Sequence, residues 1–315
     1  MAQLSSTDLD VSALCLGGNV FGWTADEAQT ITVLDAYAAA GGNFIDTADS
    51  YSAWVPGNTG GESEALIGRW LATRSDRDSL VIATKVGHDR NLRRQAILDA
   101  AERSLKRLGT DHIDLYYAHN DDPDTPIEET LGAFGELIAA GKVRHIGASN
   151  FTPARLQEAL DVAQREGLPR YVALQTEFNL VSRDYEHGLM PLVAARGLAS
   201  IPYLGLAGGF LTGKYRPGGP PVASPRARGA TARLDEHGVG ALDTLGEIAA
   251  AHDTTHAAVA LAWLAAQPTV LAPLASARTV EQLEQLLTFT TLTLTAGELD
   301  ALSLAGLRGP GAGRA

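Results

Sequence analysis

Cysteine is almost absent from this 315-residue chain, and long apolar runs and an excess of basic residues are missing as well. The single cysteine, Cys15, excludes an internal disulfide and a cysteine-based metal site. No run approaches the roughly 20 apolar residues of a membrane helix, and the first residues lack the pattern of a secretion signal. The net charge of −12 argues against a nucleic-acid partner, because phosphates require a basic surface. We therefore expect a soluble, cytoplasmic protein.

The order of predicted elements indicates the fold. Short apolar runs rich in β-formers alternate with longer helical patterns, which is typical of parallel βαβ units. Strands are predicted at 13–16, 43–46, 80–85, 113–118, 144–148, 171–175, 199–203 and 270–273. Helices are predicted at 26–40, 61–73, 92–108, 127–140, 153–166, 184–196, 242–252, 255–266, 280–287 and 296–305. Eight parallel strands close a barrel, so the sequence predicts an α/β fold, the (β/α)8 TIM barrel.

Two segments depart from this alternation. Residues 213–240 are rich in proline, glycine and arginine and show no clear apolar period. A segment of this length is usually a functional flap or disordered, and we reject a domain linker because the eighth strand lies beyond it. We therefore expect one domain over residues 1–306, followed by a loose, Gly- and Arg-rich tail at 307–315.

Ionisable side chains stand at the ends of three successive predicted strands. Asp46 ends the second strand and is followed by Tyr51, Lys85 ends the third, and His119 follows the fourth. Reactive residues of a β/α barrel lie at the C-terminal ends of its strands, where the βα loops meet. Each residue alone is readily explained as a cap, a loop aromatic or a salt bridge, but packing does not explain the four together. The pattern predicts one site.

The residue types of this site indicate its chemistry. A free phenol has a pKa of about 10 and is a poor acid at neutral pH. We expect the ammonium group of Lys85, held by Asp46, to bring the pKa of Tyr51 closer to the working range. His119 can hydrogen-bond a carbonyl oxygen and polarise it. A carbonyl group between Tyr51 and His119 would be ready to accept hydride at carbon and a proton at oxygen.

These residues also resemble a known family, the aldo-keto reductases, over nearly the whole chain. The matching segments are 44–48 with Tyr51, 83–85, 114–116 leading to His119, 147–151, 174–180 and 206–215. By this resemblance, Asp46, Tyr51, Lys85 and His119 form a catalytic tetrad with Tyr51 as the general acid. The implied reaction is reversible, NADPH-dependent reduction of aldehydes or ketones.

The resemblance also implies which residues hold the cofactor. Ser149, Asn150 and Gln175 match positions that bind the nicotinamide carboxamide, and Tyr203 matches the aromatic residue that stacks on the ring. The other implied contacts are Gly18, Asn19 and Asp46 near the ring, Leu204, Gly205, Leu206, Ala207, Lys214 and Arg226 over the pyrophosphate, and Ser276, Gln282 and Gln285 near the adenosine. Arg278 matches a ligand of the 2′-phosphate, which implies NADPH rather than NADH.

Two departures from the family pattern affect these expectations. The positions that usually hold adenine through an acidic residue and an asparagine are Gln285 and Leu286 here. Gln285 retains hydrogen-bonding groups and Leu286 does not, so the adenine contacts are in question. The short N-terminus also predicts that part of the hairpin at the barrel bottom is missing.

Aromatic residues after three strands predict an apolar substrate pocket. They are Trp23, Trp54 and Phe178, although loop packing would also account for them. Trp70 and Trp263 lie in helical patterns and are predicted to be core. His252 and His256 have a spacing that can bind a metal, but no third ligand is evident and we expect exposed helix histidines and no metal.

The sequence leaves two other classes of function open. One is a non-catalytic nucleotide-binding barrel that senses redox state, which turnover of any aldehyde would exclude. The other is a lyase or isomerase on the same fold, since a fold does not determine a reaction. The small-molecule substrate itself and the oligomeric state are not predicted.

Overall fold

The chain forms ten strands in the computed structural model, which describes residues 1–307. They are β1 (Ala2–Gln3), β2 (Asp10–Val11), β3 (Cys15–Gly17), β4 (Phe44–Asp46), β5 (Val81–Val86), β6 (Ile113–Ala118), β7 (Val143–Ser149), β8 (Tyr171–Gln175), β9 (Ala199–Ser200) and β10 (Leu274–Ala275). Strands β3 to β10 form one parallel sheet in the order β10-β3-β4-β5-β6-β7-β8-β9.

Helices follow the strands and cover the outside of the sheet. They are α1 (Glu27–Ala39), α2 (Glu62–Leu71), α3 (Arg94–Leu108), α4 (Ile127–Ala139), α5 (Pro153–Glu166), α6 (Leu189–Arg196), α7 (Ala227–Thr231), α8 (Glu236–Ala251), α9 (His256–Ala265), α10 (Val280–Leu287) and α11 (Ala296–Gly306). Asp26 closes a capping box with Gln29 at the start of α1, and Gly109 ends α3 in the left-handed conformation.

The sheet closes into a barrel between β9 and the segment that leads into β10. Ser200 donates to Thr269 and receives a hydrogen bond from Leu271, both at 2.9 Å, and Leu274 donates to Pro202 at 3.0 Å. The predicted TIM barrel is confirmed. The predicted eighth strand at 270–273 is misplaced, because the regular ladder with β3 forms only at Leu274–Ala275.

The barrel interior is plugged from below by a hairpin. Strands β1 and β2 pair in antiparallel fashion, and Leu4, Leu9 and Val11 are buried with the inward side chains of the barrel. The hairpin is therefore present with strands of two residues each, so a short N-terminus does not open the barrel bottom.

Two predicted elements have different bounds. The irregular segment is shorter than predicted, because α7 lies within 213–240 and α8 already begins at Glu236, where Asp235 caps it by accepting from Gly238 at 2.8 Å. The helix predicted at 184–196 is split by Gly188, whose φ of 101° is not helical, into a short 3-10 turn and α6. The predicted tail, apart from Leu307, lies outside the described residues.

Candidate active site

The period of two along β4 and β5 brings Asp46 and Lys85 into the barrel. Phe44 and Ala83 pack in the interior, so Asp46 and Lys85, each two residues further on, face the same way at the strand ends. Both side chains are almost completely buried. A charged pair in such a place must satisfy its polar atoms within the protein.

Lys85 uses all three of its donors within the site. Its Nζ lies 2.6 Å from Asp46 Oδ2, 2.6 Å from the carbonyl oxygen of Thr47 and 2.9 Å from Tyr51 Oη. Gln175 Nε2 donates to the other oxygen of Asp46 at 2.9 Å. The phenol oxygen therefore accepts from Lys85, and its hydroxyl group makes a long contact of 3.4 Å, as donor, with Asp46 Oδ2. Three of the four predicted residues thus form one hydrogen-bonded unit.

The protonation of Tyr51 differs from the sequence-based expectation. Burial raises the pKa of Tyr51 to about 12, because it outweighs the lowering effect of Lys85, and Asp46 raises it further. For Lys85, burial alone would lower the pKa, but Asp46 and Tyr51 hold it above the ordinary value. The expected shift of Tyr51 toward neutrality is therefore wrong for this structure. At neutral pH the site holds a neutral phenol beside a charged ammonium group.

His119 stands next to Tyr51 with its ring centroid 6.1 Å away. Burial, with the charge of Lys85, lowers the pKa of His119 to about 2, so its imidazole is neutral at physiological pH. Its Nδ1 is buried without a hydrogen-bond partner in the described structure. A neutral imidazole carries one N–H and can still donate a hydrogen bond to a substrate oxygen.

A cleft of about 850 Å³ opens above this unit. Predicted residues line most of it: Asn19, Trp23, Tyr51, His119, Ser149, Asn150, Gln175, Tyr203, Leu204, Gly205, Leu206, Lys214, Arg226, Ser276, Arg278, Gln282 and Gln285. Gly18, Asp46 and Ala207 are buried and do not line it. The size is in the range of ligand pockets, which bury small molecules in clefts of roughly 300–1,000 Å³.

Amide and hydroxyl groups gather at the end of the cleft near Tyr51. Ser149 and Gln175 end strands β7 and β8, and Asn150 follows in the left-handed conformation at φ 58°. Asn150 donates to the carbonyl oxygen of His119 at 2.9 Å and accepts from Tyr203 Oη at 2.8 Å. These two contacts fix the position of the Asn150 amide at this end of the cleft.

Cations gather along the opposite stretch of the cleft. Burial, and then the charges of Arg278 and Arg226, lower the pKa of Lys214, while burial and then Arg278 lower the pKa of Arg226. In the part of the chain that the structure describes, none of the three forms an ion pair, and no acidic side chain lines the cleft. Cations that raise each other's energy form a site for an anion.

Known proteins match this chain over its full barrel. The sequence model of the Aldo/keto reductase family matches residues 13–304. Protein tas of Escherichia coli (strain K12) is 34% identical over 312 residues, covering 90% of this chain and 90% of its own. Aldo-keto reductase YhdN of Bacillus subtilis is 32% identical, over 92% of this chain and 87% of its own. Norsolorinic acid reductase stcV of Emericella nidulans is also 32% identical, over 92% of this chain and 76% of its own. The chain belongs to the aldo/keto reductase family.

Membership confirms the predicted family and makes this protein an oxidoreductase. Aldo/keto reductases act on small molecules and generally use nicotinamide cofactors. Among residues 1–307, no three His, Cys, Asp or Glu side chains are grouped so that they could hold a metal ion. Over the same residues, no helix combines the length and apolar character needed to span a bilayer.

Of the three aromatic residues predicted for the substrate pocket of this aldo/keto reductase, only Trp23 lines the cleft, and Trp54 stands beside it. Trp23 meets Trp54 edge to face with 5.5 Å between ring centroids, and Trp54 lies 6.1 Å from Tyr51. Trp54 is 49% exposed, which is unusual for so large an apolar side chain. The prediction for Phe178 is wrong: it has no exposed surface and packs against Tyr185 and Trp263, as a core residue.

The cleft also contains residues that the sequence did not single out. His88 lies three residues beyond Lys85, and its ring centroid is 5.0 Å from that of His119. Its position just after the strand that carries Lys85 is the signal that could have identified His88 from the sequence. His256 lines the far end of the cleft and His252 contacts Glu298 at 2.7 Å, so both are half-buried rather than exposed as predicted.

A second group of buried charges lies behind the barrel wall, on the outer face of β5. Glu64 accepts from Thr84 Oγ1 and from Arg107 Nε, both at 2.6 Å. Asp49, close by, has a buried Oδ1 without a partner in the described structure. Burial and then Glu64 raise the pKa of Asp49 to about 7. The outer face thus carries two carboxyl groups, of which only Glu64 is paired with arginine.

Proposed function

We propose that this protein reversibly reduces aldehydes or ketones to alcohols with NADPH, and that Tyr51 is the general acid. The observation that carries the proposal is the unit Asp46–Lys85–Tyr51, in which a buried ammonium group lies 2.9 Å from the phenol oxygen at the floor of the cleft. One relative is named norsolorinic acid reductase, which is consistent with reduction as the direction of the reaction.

In this proposal the chain's own residues orient the carbonyl and supply its proton. Tyr51 is a neutral phenol at neutral pH, so it holds the proton that the developing alkoxide needs. Lys85 stabilises the phenolate left behind, because its charge is fixed by Asp46 at 2.6 Å. His119 donates a hydrogen bond to the same oxygen and polarises the carbonyl. Trp23 excludes water from that side of the cleft.

The residues of the cleft fit a nicotinamide dinucleotide phosphate. Ser149, Asn150 and Gln175 offer the donors and acceptors that a carboxamide requires. Lys214, Arg226 and Arg278 offer positive charge that has no internal anion. When bound, the cofactor supplies the hydride, and the protein supplies orientation and electrostatics.

Arg278 supports NADPH over NADH in this proposal. It lines the cleft directly before α10, where Thr279 caps the helix and free backbone N–H groups favour a phosphate. We expect the native chain to prefer NADPH and Arg278→Ala to lose most of that preference. Preference of the native chain for NADH, measured as kcat/KM for each cofactor, would contradict this part.

A panel of aldehydes and ketones tests the reaction, with loss of NADPH absorbance as the readout and Tyr51→Phe as the control. The proposal requires turnover of several carbonyls by the native chain and loss of that turnover in Tyr51→Phe. Normal activity of Tyr51→Phe would overturn the mechanism. Binding of NADPH without any turnover would favour a sensing role, and absence of NADPH binding would favour a lyase or isomerase.

The proposal extends to where the enzyme acts and to how the chain is divided. We place it in the cytoplasm, with one catalytic domain over residues 1–306 and small carbonyl compounds as its partners. Fractionation of the native host followed by detection of the protein tests the location.

A further inference from the structure

His88 lines the cleft but has no role in the reaction proposed above. It lies two residues beyond the end of β5, and its ring centroid is 5.0 Å from that of His119. Asn120, the residue after His119, also lines the cleft and donates to the carbonyl oxygen of His88 at 2.8 Å. Two neighbouring loops therefore hold an imidazole and an amide beside the residue that we propose polarises the carbonyl.

The ring nitrogens of His88 are available to a ligand. The side chain is exposed, and among residues 1–307 its imidazole makes no ion pair and no hydrogen bond. An imidazole carries at least one N–H donor in either protonation state, and the neutral ring also offers an acceptor. The cofactor contacts implied by the family resemblance do not include His88, so the proposed cofactor leaves these nitrogens unused.

The two sides of Tyr51 differ in polarity. The sheet order places the loop after β3 on one side of β4 and the loops after β5 and β6 on the other. The β3 loop contributes the large ring of Trp23 to the cleft, whereas the β5 and β6 loops contribute His88 and Asn120. A carbonyl compound held by its oxygen between Tyr51 and His119 would therefore meet an apolar surface on one side and hydrogen-bonding groups on the other.

We propose that His88 binds a second oxygen of the substrate, on the carbon next to the reacting carbonyl, so that this enzyme favours α-hydroxy and α-oxo carbonyl compounds. The inference rests on the carbonyl reduction proposed above and names the substrate class of that same site. Because the two imidazoles are neighbours, a substituent on the adjacent carbon can reach His88 while the carbonyl oxygen contacts His119. Two such contacts fix the orientation of the reacting carbon and direct its other substituent toward Trp23.

A pair of ketones of nearly equal shape tests the inference. 2-Hydroxyacetophenone carries the second oxygen, and propiophenone has a methyl group in place of that hydroxyl. The hydroxyl also raises the intrinsic reactivity of the carbonyl. The measured quantity is therefore the ratio of the two kcat/KM values at saturating NADPH, compared between the native chain and its variants. Glycolaldehyde and propanal give the same comparison for aldehydes if the ketones react too slowly.

The variants of His88 separate its hydrogen bond from its bulk. His88→Leu should lower the ratio of hydroxy compound to methyl compound roughly 3- to 10-fold, the effect of one neutral hydrogen bond. His88→Gln retains hydrogen-bonding groups and should give an intermediate ratio. The NADPH dissociation constant of both variants, measured by quenching of tryptophan fluorescence, should stay at the native value, because His88 is not among the residues proposed to hold the cofactor.

Thr24→Val is the matched control. It removes a hydroxyl from the lining of the cleft on the β3 side and keeps the shape of the side chain. We expect it to retain the ratio of the native chain. A fall equal to that of His88→Leu would show that the ratio does not report on the β5 side, and would overturn the inference.

Two further results would overturn the inference while leaving the proposed function intact. One is the same ratio in the native chain and in His88→Leu. The other is a His88→Leu variant that loses NADPH affinity and keeps the ratio, which would make His88 a cofactor ligand. Failure of the native chain to reduce any carbonyl of the wider panel would instead overturn the proposed function and this inference with it.

Discussion

The two halves of the cleft differ in how their charges are satisfied. At the floor, every charge has a partner: Lys85 donates to Asp46, Thr47 and Tyr51, and Asp46 also accepts from Gln175. Along the opposite stretch, Lys214, Arg226 and Arg278 face one another without an acid in the described structure. The floor is therefore organised before any ligand binds, whereas the cations are satisfied only by what enters the cleft.

This difference separates two tasks of one site. The partners at the floor fix the position of Tyr51 and its affinity for a proton. Preorganised polar groups of this kind increase the rate of a reaction. Unpaired cations destabilise the ligand-free protein slightly. An anionic ligand supplies their partner when it binds, and this contributes to its affinity. Variants of the floor should therefore change turnover and folding stability, and variants of the cation stretch should change binding.

The largest effect on stability is expected at the floor, from Asp46→Asn. This variant leaves the ammonium group of Lys85 buried without its counter-charge, and breaking a buried pair costs about 3–5 kcal/mol. Urea unfolding with tryptophan fluorescence measures it. The matched control is Lys142→Gln, which removes an exposed pair with Glu102 and should cost less than about 1 kcal/mol. Equal losses of unfolding free energy in the two variants would contradict the distinction between the buried ion pair at the floor and an ion pair on the surface.

Asp49 sharpens the comparison, because its carboxyl oxygen Oδ1 is buried without a hydrogen-bond partner in the described structure. Its pKa is raised to about 7, so the folded protein holds this proton to a higher pH than the unfolded chain does. Its contribution to stability is therefore lost as pH rises from about 4 to about 7. Asp49→Asn does not show this loss. Its free energy of unfolding should therefore rise relative to that of the native chain between about pH 4 and pH 7, by at most about 4 kcal/mol.

Urea unfolding of both proteins between pH 4.5 and pH 8 measures this gain. A difference in unfolding free energy that does not change with pH would show that Asp49 is ionised throughout. Asp300→Asn, which changes an exposed carboxyl on α11, is the control and should give a small, constant difference.

The smallest effect is expected from Lys214→Met on NADPH binding. Lys214 is exposed and its interaction with a phosphate is screened by salt, so we expect about a tenfold weaker dissociation constant at low ionic strength. The difference should shrink as salt is added. Lys106→Met, on the outer helix α3, is the control and should bind NADPH as the native chain does. A salt-independent loss would assign Lys214 a role in packing.

The site could be predicted where it follows from periodicity. Alternation along β4 and β5 is enough to bring Asp46 and Lys85 to one face, and the rule on strand ends then adds His119. The eighth strand was predicted too early, because two ladder residues are too few to leave a pattern. The start of α8 depends on a single cap, Asp235, inside a Gly-rich segment.

The sequence could not give the energies of the site. The direction of the Tyr51 shift depends on burial outweighing the charge of Lys85, and burial is a property of the assembled barrel. Phe178 was expected in the pocket because it follows β8, but the chain turns its ring into the core against Trp263. Likewise, the missing partner of Arg226 becomes visible only when every neighbouring wall is known.

Single-turnover kinetics of Tyr51→Phe with NADPH already bound test the central claim most directly. Loss of a positioned general acid costs about 10²- to 10⁴-fold. We therefore predict that oxidation of bound NADPH by an aldehyde of the panel slows by that factor, while the NADPH dissociation constant changes less than about twofold. Oxidation at the native rate in Tyr51→Phe would contradict the account.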